Sequence, residues 1–211
     1  MRYLSKSKPV VQPKDWGVFV TPASVAMLLL AFTSPAHAHE EEGVIGGLTS
    51  GFLHPLLGID HLVAMIGVGL WGAFLGAPAI WVLPVVFPLV MALGGALGIV
   101  GVPLPAVESG IAFSAIAIGI CVALALSPPM WLAALVVGAF AVFHGHAHGT
   151  ELPGAANPLT YALGFVGSTG LLHLCGIGFG TLSHSVVGQY VVRAGGALIA
   201  TIGLVFLTGY A

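Results

Sequence analysis

The 211-residue chain is 58% hydrophobic and only 6% charged, its formal net charge is −2, and its mean hydropathy is +1.08. This composition lies far outside the range of soluble globular domains and indicates an integral membrane protein. Since a membrane-spanning helix needs about 20 residues, the length allows about six or seven helices in a single domain and no separate soluble domain. Both cysteines, Cys121 and Cys175, lie inside apolar segments and are interpreted as small core residues.

Residues 1–38 are predicted to be a cleaved signal peptide. Four of the five basic residues precede the first apolar run, and Ala36-His37-Ala38 has the small-x-small form of a signal-peptidase site. The alternative is an uncleaved first membrane helix.

Cleavage after Ala38 leaves residues 39–211 as one transmembrane domain in a bacterial-type inner membrane. Its N-terminus, His39, is expected outside the cytoplasm, where the terminal amine and the imidazole together would capture a divalent metal. The mature chain has six acidic residues and one arginine, which predicts an outer face that attracts cations.

The fold class predicted for the mature chain is all-α, with six transmembrane helices, because apolar runs alternate with proline, glycine and polar breaks. The first run is too long for one straight helix across about 30 Å of hydrocarbon, so a kink or a helix start is expected at His54-Pro55. Six spans place both termini outside, and the loop before the last span, with Arg193 near its end, then lies in the cytoplasm. The predicted spans lie near residues 47–75, 79–101, 106–126, 130–148, 158–180 and 190–210.

Glycines spaced by three or four residues inside the spans predict close packing between helices. They are Gly94, Gly98, Gly164, Gly167 and Gly170.

Ionisable residues within the first span form one candidate metal cluster, because such residues are costly in a membrane and usually mark a site. They are His54, Asp60 and His61. On a continuous helix His61 returns to within about 20° of His54, whereas Asp60 points about 100° away. Asp60 is therefore either a ligand or a carboxylate that orients a histidine ring. A structural Asp–His pair is the alternative interpretation.

The stretch FHGHAHGTE in the fourth span is the second candidate cluster. His144, His148 and Glu151 share one helix face at positions i, i+4 and i+7, whereas His146 points nearly opposite. Imidazoles with one carboxylate suit nickel, cobalt, copper and zinc, and they disfavour thiolate-loving copper(I). A histidine-rich loop that buffers metal at the surface is the alternative.

Both clusters lie toward the outer side in the predicted topology, so they predict one metal site. His173, in the fifth span, and His184, in the next loop, are in position to continue a path inward, although a structural role is the preferred interpretation for each. Glu108, near the outer start of the third span, is interpreted as an interfacial charge or part of the entrance.

The two clusters resemble the two signature motifs of the HupE/UreJ family of nickel permeases. The matching segments are His54-x5-Asp60-His61 and Phe143-His144-Gly145-x-Ala147-x-Gly149-x-Glu151. The leader peptide, the histidine after it and the six-span plan extend the resemblance over essentially the whole chain. It implies a secondary transporter of nickel, or in some members cobalt, that serves nickel enzymes such as hydrogenase and urease or cobalamin synthesis.

By position the resemblance implies functional roles for His54, Asp60, His61, His144 and Glu151. The family pattern leaves the positions of His146 and His148 free. Helix geometry nevertheless favours His148 as a partner of His144 and Glu151, and it favours His146 only weakly.

The function predicted from the sequence is a permease, not an enzyme, that carries divalent nickel or cobalt as transiently bound cargo and needs no prosthetic group. The sequence has no Gly-x4-Gly-Lys-Ser/Thr loop for a nucleotide, so the membrane potential or a gradient would drive uptake. Two charges gain about 4.6 kcal/mol per 100 mV. The alternatives are an intramembrane zinc-dependent hydrolase, with Asp60 or Glu151 activating water, and a metal-binding sensor or accessory subunit without flux. The lipid bilayer is an expected partner and nucleic acid is not.

Overall fold

The computed structural model describes residues 44–152 and 157–209, and the predicted signal peptide and His39 lie outside these ranges. The described residues form helices and no β-strand, which confirms the all-α fold class. A short 3-10 helix, Thr181–His184, follows the sixth α-helix. The α-helices are α1 (Val44–Leu57), α2 (Ile59–Leu75), α3 (Ala79–Ile99), α4 (Val107–Ala123), α5 (Met130–Thr150), α6 (Pro158–Gly180) and α7 (Val186–Leu207).

Four helical segments are long and apolar enough to cross a membrane: α3, α5, α6 with the 3-10 turn that follows it, and α7. The pair α1 and α2 is apolar enough only when taken together, and it is bent by 81° at its break. The apolar helix α4 is shorter, with 17 residues. Within the described ranges the chain therefore has four candidate spans, or five when the bent pair counts as one, and six spans stay a prediction.

The bend in the first predicted span lies at Gly58, so the expectation of a break at His54-Pro55 was wrong. Pro55 lies inside α1, which continues until the Gly58 amide donates to the His54 carbonyl at 3.2 Å. The missing amide hydrogen of proline removes one helical hydrogen bond, a loss that packed membrane helices tolerate. Gly58, which has a low helix propensity, takes an extended conformation (φ −82°, ψ 106°), and α2 begins after it.

The start of the last helix also differs from the prediction, because α7 begins at Val186 and not near residue 190. Ser185 caps it, since its hydroxyl accepts a hydrogen bond from the Gly188 amide at 3.0 Å. Arg193 therefore lies inside α7 and not in the preceding loop. Its Nε donates to the carbonyl of Ala123, at the end of α4, over 2.8 Å.

Helices α3 and α5 pack backbone to backbone and run in the same direction. A Cβ atom added at Gly145 would overlap the backbone of Met91, and one added at Gly149 would overlap the backbone of Gly95. Only glycine permits this approach, which holds the histidine-bearing end of α5 against α3.

The segment α1–α2 follows α6 in the same direction. Gly51 on α1 lies against the backbone of Tyr161, and Gly69 on α2 lies against the backbone of His173, farther along α6. Both helices of the bent segment therefore pack against α6.

Helices α4 and α7 run in opposite directions, since Gly119 meets Ala200 whereas Gly203 meets Ala112. The glycine packing predicted from the sequence is confirmed for Gly94, Gly98 and Gly164, which meet neighbouring backbones. It was wrong for Gly167 and Gly170, whose positions face no atom within 4 Å in the part of the chain that the structure describes. Spacing alone does not say which helix face is covered.

Candidate metal site

Six of the seven candidate ligands lie together, at the junction of α1 and α2 and at the end of α5. The break at Gly58 invalidates the helical-angle argument for His54 and His61, yet the rings of these two residues on either side of the bend are still neighbours. Their centroids are 6.0 Å apart. The six residues are His54, Asp60, His61, His144, His148 and Glu151.

Asp60 holds the ring of His61. It lies in the first turn of α2, where the helix dipole favours a carboxylate, and its Oδ1 is 3.0 Å from His61 Nδ1. The carboxylate can only accept, so Nδ1 carries a hydrogen, and in the neutral tautomer with that hydrogen the lone pair is on Nε2. Nε2 is buried and has no hydrogen-bond partner among the described residues. Asp60 is therefore placed to orient the His61 ring, and its role at a metal site, as orienting group or as ligand, stays a prediction.

His144 and His148 face the same neighbour from successive turns of α5, as their spacing predicts. The ring centroid of His61 lies 5.0 Å from that of His144 and 4.6 Å from that of His148. His146 points elsewhere, and its Nε2 lies 2.7 Å from the carbonyl of Val102, in the loop after α3. The sequence prediction that placed His146 on the other side of the helix is therefore confirmed.

Ser114 on α4 fixes the tautomer of His144. The Ser114 hydroxyl donates its one hydrogen to the Ile111 carbonyl at 2.6 Å, and the same oxygen lies 2.9 Å from His144 Nε2. With the serine hydrogen donated to Ile111, the Nε2–H of His144 is assigned as the donor to the serine oxygen. The lone pair of His144 is then on Nδ1, a buried atom without a hydrogen-bond partner in the described part of the chain.

His54, His148 and Glu151 form the outermost set, in which one ligand atom from each residue lies within 4.8 Å of the others. His54 Nε2 is 3.1 Å from Glu151 Oε2, and the ring centroids of the two histidines are 4.7 Å apart. Metal–nitrogen and metal–oxygen bonds of about 2.0–2.2 Å separate two donors by roughly 3–4 Å, so small side-chain rotations would close this set around an ion.

The outermost set combines two partly exposed side chains with one buried side chain. The side chains of His54 and Glu151 are 33% and 45% exposed, whereas His148 is 3% exposed and neither of its ring nitrogens is hydrogen-bonded within the described ranges. His148 also contacts His61, so it connects the outermost set to the buried pair His61 and His144. An ion bound at the exposed residues would therefore find further free imidazole nitrogens beneath them.

Aromatic rings that sequence reasoning did not select surround the histidines. Phe165 on α6 lies 3.7 Å from His148 between ring centroids, and Tyr161, one turn earlier, lies 6.3 Å from His54. Phe87 on α3 lies 5.3 Å from His144. In an apolar sequence nothing distinguishes aromatic residues that contact a polar site from aromatic residues that face lipid. Ser114 carried a weak signal, as a polar residue inside an apolar helix.

The other candidate residues lie apart from this cluster. Glu108 is exposed in the first turn of α4, and His184 is exposed in the 3-10 helix. His173 is buried in α6, with 1% exposure. Metal binding by the clustered residues and metal capture by His39 stay predictions.

Comparisons with known proteins give a consistent result. The family described as HupE / UreJ protein has a sequence model that matches residues 26–206. Protein HupE of Rhizobium leguminosarum bv. viciae is 42% identical over 189 residues, which cover 88% of this chain and 97% of that protein. No solved structure matches the chain. The similarity thus covers both histidine-bearing segments.

Proposed function

Because the chain belongs to the HupE/UreJ family, whose members are permeases or accessory transport proteins and not enzymes, we propose that it is a secondary transporter for divalent nickel or cobalt. The metal is the cargo, held transiently, and no prosthetic group takes part. The observation that carries the proposal is the set His54, His148 and Glu151, whose ligand atoms lie within 4.8 Å of one another at the exposed end of a row of imidazoles.

The proposed route starts at this partly exposed set and continues through His148 to the buried pair. His148 contacts His54 at 4.7 Å and His61 at 4.6 Å, and His61 contacts His144 at 5.0 Å, all between ring centroids. Neutral imidazoles and one carboxylate are borderline ligands that suit nickel and cobalt. Successive sets of few ligands favour binding that is weak enough to permit release.

The proposed topology has six spans, with α1–α2 as one bent span, α4 as a short span, and the mature N-terminus outside a bacterial-type inner membrane. The relative directions of the helices support this topology. If successive spans cross the membrane in alternating directions, α1–α2 must be parallel to α6, α3 must be parallel to α5, and α4 must be antiparallel to α7. The glycine contacts show these three relations. The 17 residues of α4 reach about 26 Å at 1.5 Å per residue, a mismatch with the hydrocarbon core that a bilayer can accommodate.

Uptake of radioactive nickel and cobalt into sealed liposomes tests the proposal. Liposomes with wild-type protein are compared with His148→Ala liposomes and with a matched control, His184→Ala, which removes an exposed histidine outside the cluster. We expect the wild type and the control to accumulate metal at equal rates and His148→Ala to lose accumulation. Metal binding without flux in the wild type would instead identify an accessory protein, and His148→Ala flux equal to wild type would refute the route.

A further inference from the structure

His173 is a buried histidine that the route described above does not use. It lies on α6 with 1% exposure, and neither ring nitrogen is hydrogen-bonded within the ranges that the structure describes. Buried polar side chains in proteins nearly always have a partner, so each exception requires a reason. A ligand that is bound only transiently is such a reason.

One aromatic ring contacts both His173 and the metal cluster. The ring centroid of Phe87 lies 5.3 Å from that of His144 and also 5.3 Å from that of His173, and Phe87 is fully buried. Phe87 is thus a neighbour shared by His144, a member of the metal cluster, and by the unpaired imidazole of His173.

The helical turn before His173 also carries a polar side chain. Thr169, four residues earlier on α6, donates its hydroxyl hydrogen to the sulfur of Met65 at 3.3 Å, and both residues are fully buried. The interior along this part of α6 is therefore not purely apolar.

Helix α3 also contains a backbone carbonyl without its helical partner. Pro88 has no amide hydrogen, so the carbonyl of Pro84, four residues earlier in α3, lacks its usual helical partner. Pro84 precedes Phe87 by three residues on α3, and the ring of Phe87 contacts that of His173. The two prolines thus leave a backbone oxygen without its helical partner one turn from the ring that contacts His173.

The position of His173 along α6 is suitable for a second binding position deeper in the membrane. Tyr161 and Phe165, near the start of α6, contact the metal cluster, and His173 comes twelve residues after Tyr161. At 1.5 Å per residue His173 lies about 18 Å farther along the helix axis, more than half of the roughly 30 Å hydrocarbon core.

We propose that His173 is a second, inner binding position for the transported divalent cation, separated from the outer cluster by Phe87. This inference rests on the proposed transport function. An ion moves from His144 past the Phe87 ring to His173. The metal cluster alone determines the affinity for nickel, and His173 determines the rate at which the metal crosses the protein. Affinity and flux therefore respond differently to substitution of His173.

The test uses full-length protein purified in detergent for nickel binding by equilibrium dialysis, and the same protein in liposomes for uptake of radioactive nickel. The variants are His173→Leu, His173→Cys, which restores a metal ligand, and the control His184→Ala. We expect His173→Leu to bind nickel with a dissociation constant within about twofold of wild type and to lose flux by about tenfold or more, at least the loss that follows removal of a residue that only supports a metal ligand. His173→Cys should recover part of the flux.

The outcomes separate the inference from the function on which it rests. Wild-type flux in His173→Leu would overturn the inner position while leaving the transporter intact. Loss of binding and flux together in both His173 variants would also overturn it, because His173 would then support the fold of the outer cluster. A wild-type protein that binds no nickel, or binds it without flux, would refute the transport function itself.

Discussion

The contact between Ser114 and His144 makes the sharpest prediction about the site, because Ser114 touches no proposed path of the metal and still controls a ligand. Its hydroxyl accepts from His144 Nε2 at 2.9 Å, which leaves Nδ1 free to bind. In Ser114→Ala the Nε2–H group loses its acceptor, and the imidazole is free to change tautomer or rotate. We expect weaker metal binding although the proposed ligands are all still present.

The magnitude follows from the burial of this contact. Ser114 and His144 are both fully buried, and a buried donor left unpaired costs about 1–3 kcal/mol. Loss of a group that orients a ligating histidine lowers metal affinity by about 10- to 100-fold, which corresponds to about 1.4–2.8 kcal/mol. The two ranges agree, so we expect the nickel dissociation constant to rise at least about tenfold.

The assay is isothermal titration calorimetry of the purified protein with nickel chloride, with Ser168→Ala as the matched control. Ser168 is an equally buried serine, but its hydroxyl has no hydrogen-bond partner among the residues described. The control should bind nickel as the wild type does. A Ser114→Ala protein that keeps its affinity within about twofold while Ser168→Ala does the same would refute the tautomer argument.

Three further predictions concern the same cluster and its scaffold. Asp60→Asn replaces a charged acceptor for His61 Nδ1 with a neutral one, so nickel affinity should fall about tenfold, and unchanged affinity in calorimetry would contradict the orienting role. Gly149→Leu should lower the thermal unfolding temperature, because its side chain meets the backbone of Gly95 and overpacking costs about 1–3 kcal/mol. Gly167→Leu, at a position with no neighbour within 4 Å in the described residues, should change the free energy of unfolding by no more than about 0.5 kcal/mol. An equal loss of stability in the Gly149 and Gly167 variants would argue against close α3–α5 packing.

The helix that carries the second cluster could be predicted well from the sequence, because the residues that define its bounds and its faces are neighbours in the sequence. The predicted span 130–148 corresponds to Met130–Thr150, and the predicted span 158–180 corresponds to Pro158–Gly180. A proline or a polar turn marks the start of each. Within a regular helix the spacing of His144 and His148 determines that they share a face, so that part of the site followed directly.

The first cluster could not be derived in the same way, because its geometry depends on a break. The regular helix that links His54 to His61 in the sequence argument ends at Leu57, and the chain bends by 81° after it. Ser114, Phe87 and Phe165 were missed for a related reason. Their roles depend on which helices become neighbours, which a single sequence without tertiary contacts does not specify.

The distribution of fixed and free imidazoles indicates how one site can both capture and pass on a metal. The His61 and His144 tautomers are set by Asp60 and Ser114, so each offers one oriented nitrogen and pays little reorganisation when an ion arrives. His148 has both nitrogens free of hydrogen bonds in the described ranges and touches His54 on one side and His61 on the other. Within the cluster, the ring of His148 can therefore change partners without breaking a protein hydrogen bond. In the proposed route, a transfer step needs that freedom at one position and rigid acceptors beyond it, so we expect His148 to control the transfer.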